Sequence, residues 1–164
     1  MKILFIADLH FGHTNIIKYE NRPFKSTIDM DAGLIKNWNN VVSKKDIVFL
    51  LGDLSFYPVE KTKNLVSLLN GRKNLILGNH DTKSPAVYMD MGFEFVSKYP
   101  IVYKEFFLLS HEPLYVNETM PYLNIHGHIH SAEYAGDKHF NVSVEKINYT
   151  PISFEEIQKK AGVK

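Results

Sequence analysis

The sequence predicts an α/β fold of two packed β-sheets with helices on the outside. Two observations carry that expectation. In the first half, short apolar runs alternate with amphipathic stretches of helical period, the βαβαβ order that implies parallel pairing. In the second half, short apolar runs follow one another with brief connections, which implies mixed or antiparallel pairing. A single mixed sheet is the other layering open to this pattern. A chain of 164 residues fits one domain, here residues 1–164, and can bury about two thirds of its unfolded surface.

The elements read in order along the chain. Lys2–Ala7 is a buried strand. Met30, Leu34, Trp38 and Val41 recur at helical spacing, so Asp29–Val42 is expected as a helix. Asp46–Leu51 is a second buried strand. Val59–Asn70 is expected as a helix with Leu65, Leu68 and Leu69 inward and Gly71 as its stop. Asn74–Leu77 is a third strand, and Ser84–Met91 a short helix with Pro85 at its first position and Gly92 ending it. Strands are then expected at Phe93–Ser97, Ile101–Tyr103, Phe106–Ser110, Leu123–His126 and Phe140–Val144. A last helix opens at Ser153, where Ser-Phe-Glu-Glu has the form of a capping box.

Composition excludes several classes. There are no cysteines, so a disulfide framework, zinc ribbons, iron–sulfur clusters and a cysteine nucleophile are ruled out. Any metal must use nitrogen and oxygen donors. The net charge is +1, and no basic patch or tail signals bulk nucleic-acid binding. The start MKILFIADLH lacks the cleavage site of a signal peptide. No apolar run approaches the about 18 residues of a membrane span. A cytoplasmic location is the expectation. The anomaly is eight histidines, and their placement matters more than their number.

Polar groups stand where the apolar runs stop. Ile3–Ala7 ends in Asp8-Leu-His10, Ile47–Leu51 in Gly52-Asp53, and Leu75–Leu77 in Gly78-Asn79-His80-Asp81. Phe106–Leu109 ends in Ser110-His111, and Leu123–Ile125 in His126-Gly127-His128-Ile-His130. Five strands thus deliver carboxylate, amide or imidazole at their carboxyl ends, the edge at which open α/β sheets bind ligands. Gly52, Gly78 and Gly127 precede three of these groups, allowing tight turns and close backbone approach. Alternate residues of an extended segment share a face, so His128-x-His130 suits one metal site.

The block series Asp8-Leu-His10, Gly52-Asp53, Gly78-Asn79-His80-Asp81, His111 and Gly127-His128-Ile-His130 resembles that of the calcineurin-like metallophosphoesterases. Their pattern runs D-x-H, G-D, G-N-H-D or G-N-H-E, H, then G-H-x-H. Every block is present and in order, from residue 8 to residue 130, and the length is similar to that of compact bacterial and phage members. The resemblance implies a four-layer αββα sandwich and hydrolysis of a phosphate ester with two divalent ions.

It also implies roles. Asp8, His10 and His130 would hold one ion, Asn79, His111 and His128 the other, and Asp53 would bridge both through its two oxygens and full charge. A mixed nitrogen and oxygen set suits Mn, Fe, Ni, Co or Zn, with manganese common in such sites. His80 would protonate the departing oxygen, and Asp81 either orients that imidazole or caps a turn. His126 reads as a packed, hydrogen-bonded residue rather than a ligand. His13 and Arg22 follow the first metal block and are expected to line the substrate pocket, arginine being well shaped for phosphate. Tyr57, Tyr115 and Tyr122 follow site strands as half-buried tyrosines or stacking groups. The expected partner is a small phosphate ester, nucleotides among the candidates, and a diester by resemblance to small members. A silent scaffold and a nuclease are the competing functions.

Overall fold

The computed structural model describes residues 1–163. Its elements are β1 (Ile3–Ile6), α1 (Thr14–Tyr19), α2 (Thr27–Val41), β2 (Ile47–Leu51), α3 (Val59–Ser67), β3 (Arg72–Ile76) and α4 (Pro85–Asp90). The second half holds β4 (Phe93–Ser97), β5 (Ile101–Tyr103), β6 (Phe107–Leu109), β7 (Leu123–His126), β8 (His139–Asn141), β9 (Ile152–Ser153) and α5 (Phe154–Ala161). Among these residues there are two sheets, β4-β3-β2-β1-β9 and β5-β6-β7-β8, flanked by helices. The single-sheet layering is therefore overturned.

The first sheet forms as its pattern dictates. β1 to β4 pair in parallel, because each connection is a helix that crosses back over the sheet. β2, reading Ile-Val-Phe-Leu-Leu, is almost wholly buried, as a strand covered on both faces must be. Met30, Leu34 and Trp38 of α2 are each at most 1% exposed, and the Trp38 indole donates to Asn70 O at 2.9 Å. The second sheet is mixed. β5 runs antiparallel to β6, while β6, β7 and β8 are parallel. Aromatic rings fill the space between sheets: Phe5 stacks on Phe49 at 5.5 Å, and Tyr103 meets both edge-on or tilted at 6.2 and 5.4 Å.

Three expectations need correction. α3 ends at Ser67 rather than Asn70, so Leu68 turns outward at 56% exposure while Val66 and Leu69 face the core. β8 ends at Asn141, and the residues after it bridge the sheets: Val142 N still donates to His126 O of β7 at 2.7 Å, while Ala7 N donates to Val142 O at 2.8 Å and Val144 N to Ala7 O at 3.1 Å. That exchange joins the two sheets where β1 ends. α1 and β9 were not expected at all. β9 is two residues long and pairs antiparallel with β1, and its Ser153 doubles as the N-cap of α5, where both capping-box bonds form as expected.

The consequence for function is geometric. The carboxyl ends of β1, β2 and β3 lie along one edge, and those of β6 and β7 meet them at the Ala7 junction. No described helix is long and apolar enough to cross a membrane.

Candidate metal centre

Five of the strand-end residues take a backbone conformation that side chains rarely adopt. Asp8, His10, Asp53, His128 and His130 have φ between 50° and 71°, a region costing of order 1–3 kcal/mol for a non-glycine residue. The left-handed turn swings each side chain back over the strand end. Surrounding bonds hold it there. Asp8 N donates to Gly52 O and His10 N to Asp53 O, both at 3.0 Å. Gly52 and Gly78 are required by contact: a β-carbon on Gly52 would lie 2.2 Å from His111 Nδ1, and one on Gly78 2.2 Å from Asp53 Oδ1.

The donors converge in two overlapping groups. Ligand atoms of Asp8, His10 and His130 lie within 4.8 Å of one another, as do those of Asp8, Asp53 and His111. Asp8 is common to both groups, and Asp53 Oδ2, a member of the second, also reaches the first: it sits 3.4 Å from His10 Nε2 and 3.5 Å from His111 Nε2. On the far side, Asn79 Oδ1 is 2.9 Å from His111 Nε2 and 3.1 Å from His128 Nδ1, and those two nitrogens are 3.1 Å apart. Two donors at right angles on an ion with bonds of about 2.1 Å stand about 3.0 Å apart. The seven residues are thus brought together as expected.

The free valences also suit cations. Each carboxylate has one oxygen tied to backbone, Asp8 Oδ2 accepting from His128 N at 2.9 Å and Asp53 Oδ1 from His80 N at 3.0 Å. Asp8 Oδ1 and His10 Nε2 are buried with no partner, an arrangement that native proteins avoid unless something binds there. His111 Nδ1 must donate to Leu51 O at 2.8 Å, since a carbonyl only accepts. In the neutral ring, Nε2 then presents a lone pair toward Asn79 Oδ1, which a cation satisfies. The set could therefore hold two ions.

Charge behaviour follows burial. Burial pushes the Asp8 carboxyl up to about 6. Burial, helped by the neighbouring His130, takes His10 down to about 2. Burial opposes a charge on His130 as well, but its bond to Glu145 and the nearby Asp8 outweigh this and raise it. His126 is fully buried, with Nδ1 against Gly127 O at 2.9 Å. Burial lowers its pKa to about 4, which agrees with a packed histidine.

An acid-lability follows for the metal-free protein. His10 and His126 titrate below their ordinary 6.5, so the unfolded chain binds more protons than the folded one as pH falls below that value. Their stabilisation is complete above about pH 6.5 and is lost on acidification. Asp8, raised from 3.8, acts in the opposite sense and recovers part of the loss below about pH 6. His130, raised above 6.5, also opposes the loss, while His13 and His128, both lowered, add to it. The lowered histidines outnumber the raised groups here, so the net change from pH 7 to pH 4 is a loss of stability. Urea midpoints in the presence of a chelator should fall over that range; a midpoint that rises would contradict the assignment.

His80 and His13 lie at the mouth. The His80 side chain is 45% exposed, its Nε2 4.0 Å from Asp53 Oδ2. His13 stacks on Phe56 at 4.0 Å, and Phe56 also lies 4.9 Å from the His80 ring and 5.5 Å from that of His10. Phe56 was missed; the aromatic singled out in that loop was Tyr57, whose ring instead lies beneath Gly12 and under Lys61 Nζ at 3.4 Å. Tyr115 is exposed and Tyr122 half-buried.

Two expected roles do not fit the structure. Arg22 does not line a pocket. Its side chain is fully buried behind the centre, donating to Asp8 O at 2.8 Å and Leu9 O at 3.0 Å and pairing with Glu145 at 2.7 Å. Asp81 does not orient His80. Its carboxylate accepts from Asp53 N at 2.8 Å, Gly78 N at 2.9 Å and Leu54 N at 3.1 Å, so it is the turn-holding residue of the two alternatives. Glu145 was also missed. The available signal was an acid directly after the apolar run Phe140–Val144.

Two sheets meeting at a shared edge of carboxylates and imidazoles define a metallophosphoesterase. The chain belongs to the calcineurin-like phosphoesterase family, whose model matches residues 1–161. It is 42% identical over 177 aligned positions to an uncharacterised protein of Methanocaldococcus jannaschii, covering 96% of this chain and 90% of that protein. The gene 66 protein of Mycobacterium phage L5 is 38% identical over 84 residues, 49% of this chain and 40% of the phage protein. Among solved structures, a protein of unknown function from Aquifex aeolicus superposes with a TM-score of 0.76 at 28% identity, covering 97% of this chain and 98% of its own. The nuclease MPE of Pseudomonas putida shares the fold at a TM-score of 0.50 and 23% identity, covering 78% of this chain and 60% of that one.

Proposed function

We propose that this protein is a phosphodiesterase that hydrolyses a small phosphate diester with two divalent ions, manganese first among Mn, Fe, Ni, Co and Zn. The observation that carries the reading is the place of Asp53 Oδ2, within 3.5 Å of an imidazole nitrogen from each donor group. Such a carboxylate is suited to serve two ions at once. When bound, the ions supply Lewis acidity toward the phosphate and lower the pKa of the attacking water.

The chain's own residues supply the rest. Asp8, His10 and His130 hold one side, Asn79, His111 and His128 the other, and Asp53 both. Water adds to phosphorus as the bond to the departing oxygen breaks, and the proton the water sheds passes to solvent, from which His80 is later reprotonated. His80, outside both groups and open to solvent, gives that oxygen its proton. His13 and Phe56 flank His80 and close the mouth on that side. Support for a diester comes from two clefts beside the Asn79-His80 turn. One, of about 410 Å³, reaches from His80 past Phe56 and Lys83. The other, of about 320 Å³, lies along Asn79, His111 and Lys98. A diester carries two substituents, one for each.

The test uses metal-stripped protein reloaded with each ion in turn. Bis-para-nitrophenyl phosphate should be cleaved faster than the para-nitrophenyl monoester, with manganese among the activating ions. Preference for the monoester would overturn the diester reading. No cleavage of either with any ion would leave a scaffold with this fold.

A further inference from the structure

Arg22 and Glu145 form a buried ion pair that the proposed reaction does not use. Neither touches the mouth. Arg22 Nε donates to Glu145 Oε1 at 2.9 Å, and Nη2 lies 2.7 Å from the same oxygen. The remaining guanidinium donors reach Asp8 O and Leu9 O, the carbonyls inside the Asp8-Leu9-His10 turn. Asp8 and His10 both hold positive φ there. On its other side, Glu145 Oε1 is 3.3 Å from His130 Nδ1. Glu145 Oε2 is buried without a partner.

Burying two charges is costly, and replacement by apolar groups of the same volume is often neutral or stabilising. Stability alone therefore does not account for the pair. Its contacts offer another account. Asp8 and His10 come from the first sheet, His130 from the second, and all three belong to one donor group. A carboxylate on His130 Nδ1 fixes the ring with Nε2 unprotonated and raises its basicity as a donor. A guanidinium on the carbonyls of residues 8 and 9 holds the turn that aims Asp8 and His10. Lysine could not replace it, because one ammonium cannot span two carbonyls and a carboxylate in a fixed plane.

We propose that the Arg22–Glu145 pair is a positioning device for the ion held by Asp8, His10 and His130, joining the ligands of the two sheets into one site. The inference rests on the two-ion reading given above, and it assigns both residues an indirect role.

The experiment is calorimetric titration of the metal-free full chain with Mn²⁺, for the wild type, Glu145→Gln, and the double variant Arg22→Met with Glu145→Leu. The wild type should bind two ions. Glu145→Gln, similar in shape, should weaken one site by about 10–100-fold, the usual cost of losing such a partner, and leave the other unchanged. The double variant removes both buried charges together, so its metal-free thermal midpoint should stay near or above the wild-type value while the same single site is weakened. Full-affinity binding of both ions by a folded Glu145→Gln protein overturns the proposal. So does equal weakening of both sites, which would mark a general structural role. A wild type that binds no ion at all would instead sink the two-ion reading itself.

Discussion

Replacing Asp53 by Asn is expected to remove nearly all activity while leaving the metal-free fold intact. The amide keeps an oxygen for the His80 N–H, which now donates to Asp53 Oδ1 at 3.0 Å. Lost is the charged oxygen lying 3.4 and 3.5 Å from His10 and His111. If that oxygen serves both ions, its loss removes about 4 kcal/mol of charge stabilisation, roughly a factor of 10³ in rate. The control is thermal. Adding Mn²⁺ should raise the wild-type midpoint, because binding to the folded state alone stabilises it. The variant should unfold near the metal-free wild-type temperature and gain far less on Mn²⁺ addition. Retention of a tenth of the activity with a full Mn²⁺ shift would contradict the bridging role.

His80→Gln should behave in the opposite way, keeping the ions and losing the chemistry. The ring is nearly half exposed and belongs to neither donor group, so its removal costs little stability. As the proton donor, it should contribute about 10²–10⁴-fold to turnover. The size of the loss should depend on the leaving group. Nitrophenolate departs without a proton, whereas an alkoxide needs one. A diester with an alkyl leaving group should therefore suffer the larger fall. Equal losses for both would assign His80 to phosphate charge instead, and unchanged turnover would remove it from the mechanism.

Much of the site was legible because buried strands end where chemistry begins. Asp8, His10, Asp53, Asn79, His111, His128 and His130 each stand within a few residues of the end of an apolar run, and parallel β1 to β3 with parallel β6 and β7 bring those ends together. The close packing under Gly52 and Gly78 was equally readable. Arg22 was misplaced for a specific reason. α1 spans only six residues, without a side-chain cap, and carries too little pattern to be seen. Its turn sends the chain back, with Arg22 N donating to Ile17 O at 2.9 Å, so that Arg22 enters behind the centre rather than at its mouth. Asp81 shows another limit. Two adjacent polar residues, His80 and Asp81, point in opposite directions, and only the three inward N–H groups around Asp81 reveal which one is structural. Phe56 and Tyr57 differ in the same way. A shift of one residue in an extended loop exchanges the faces, and the sequence does not carry the phase.

The central claim is that one carboxylate serves two ions. Crystals soaked in Mn²⁺ and measured for anomalous scattering test it most directly. Two peaks about 3.5–4 Å apart, with Asp53 Oδ2 between them, are the predicted result. A single peak, or two peaks of which one lies out of reach of Asp53, would contradict it.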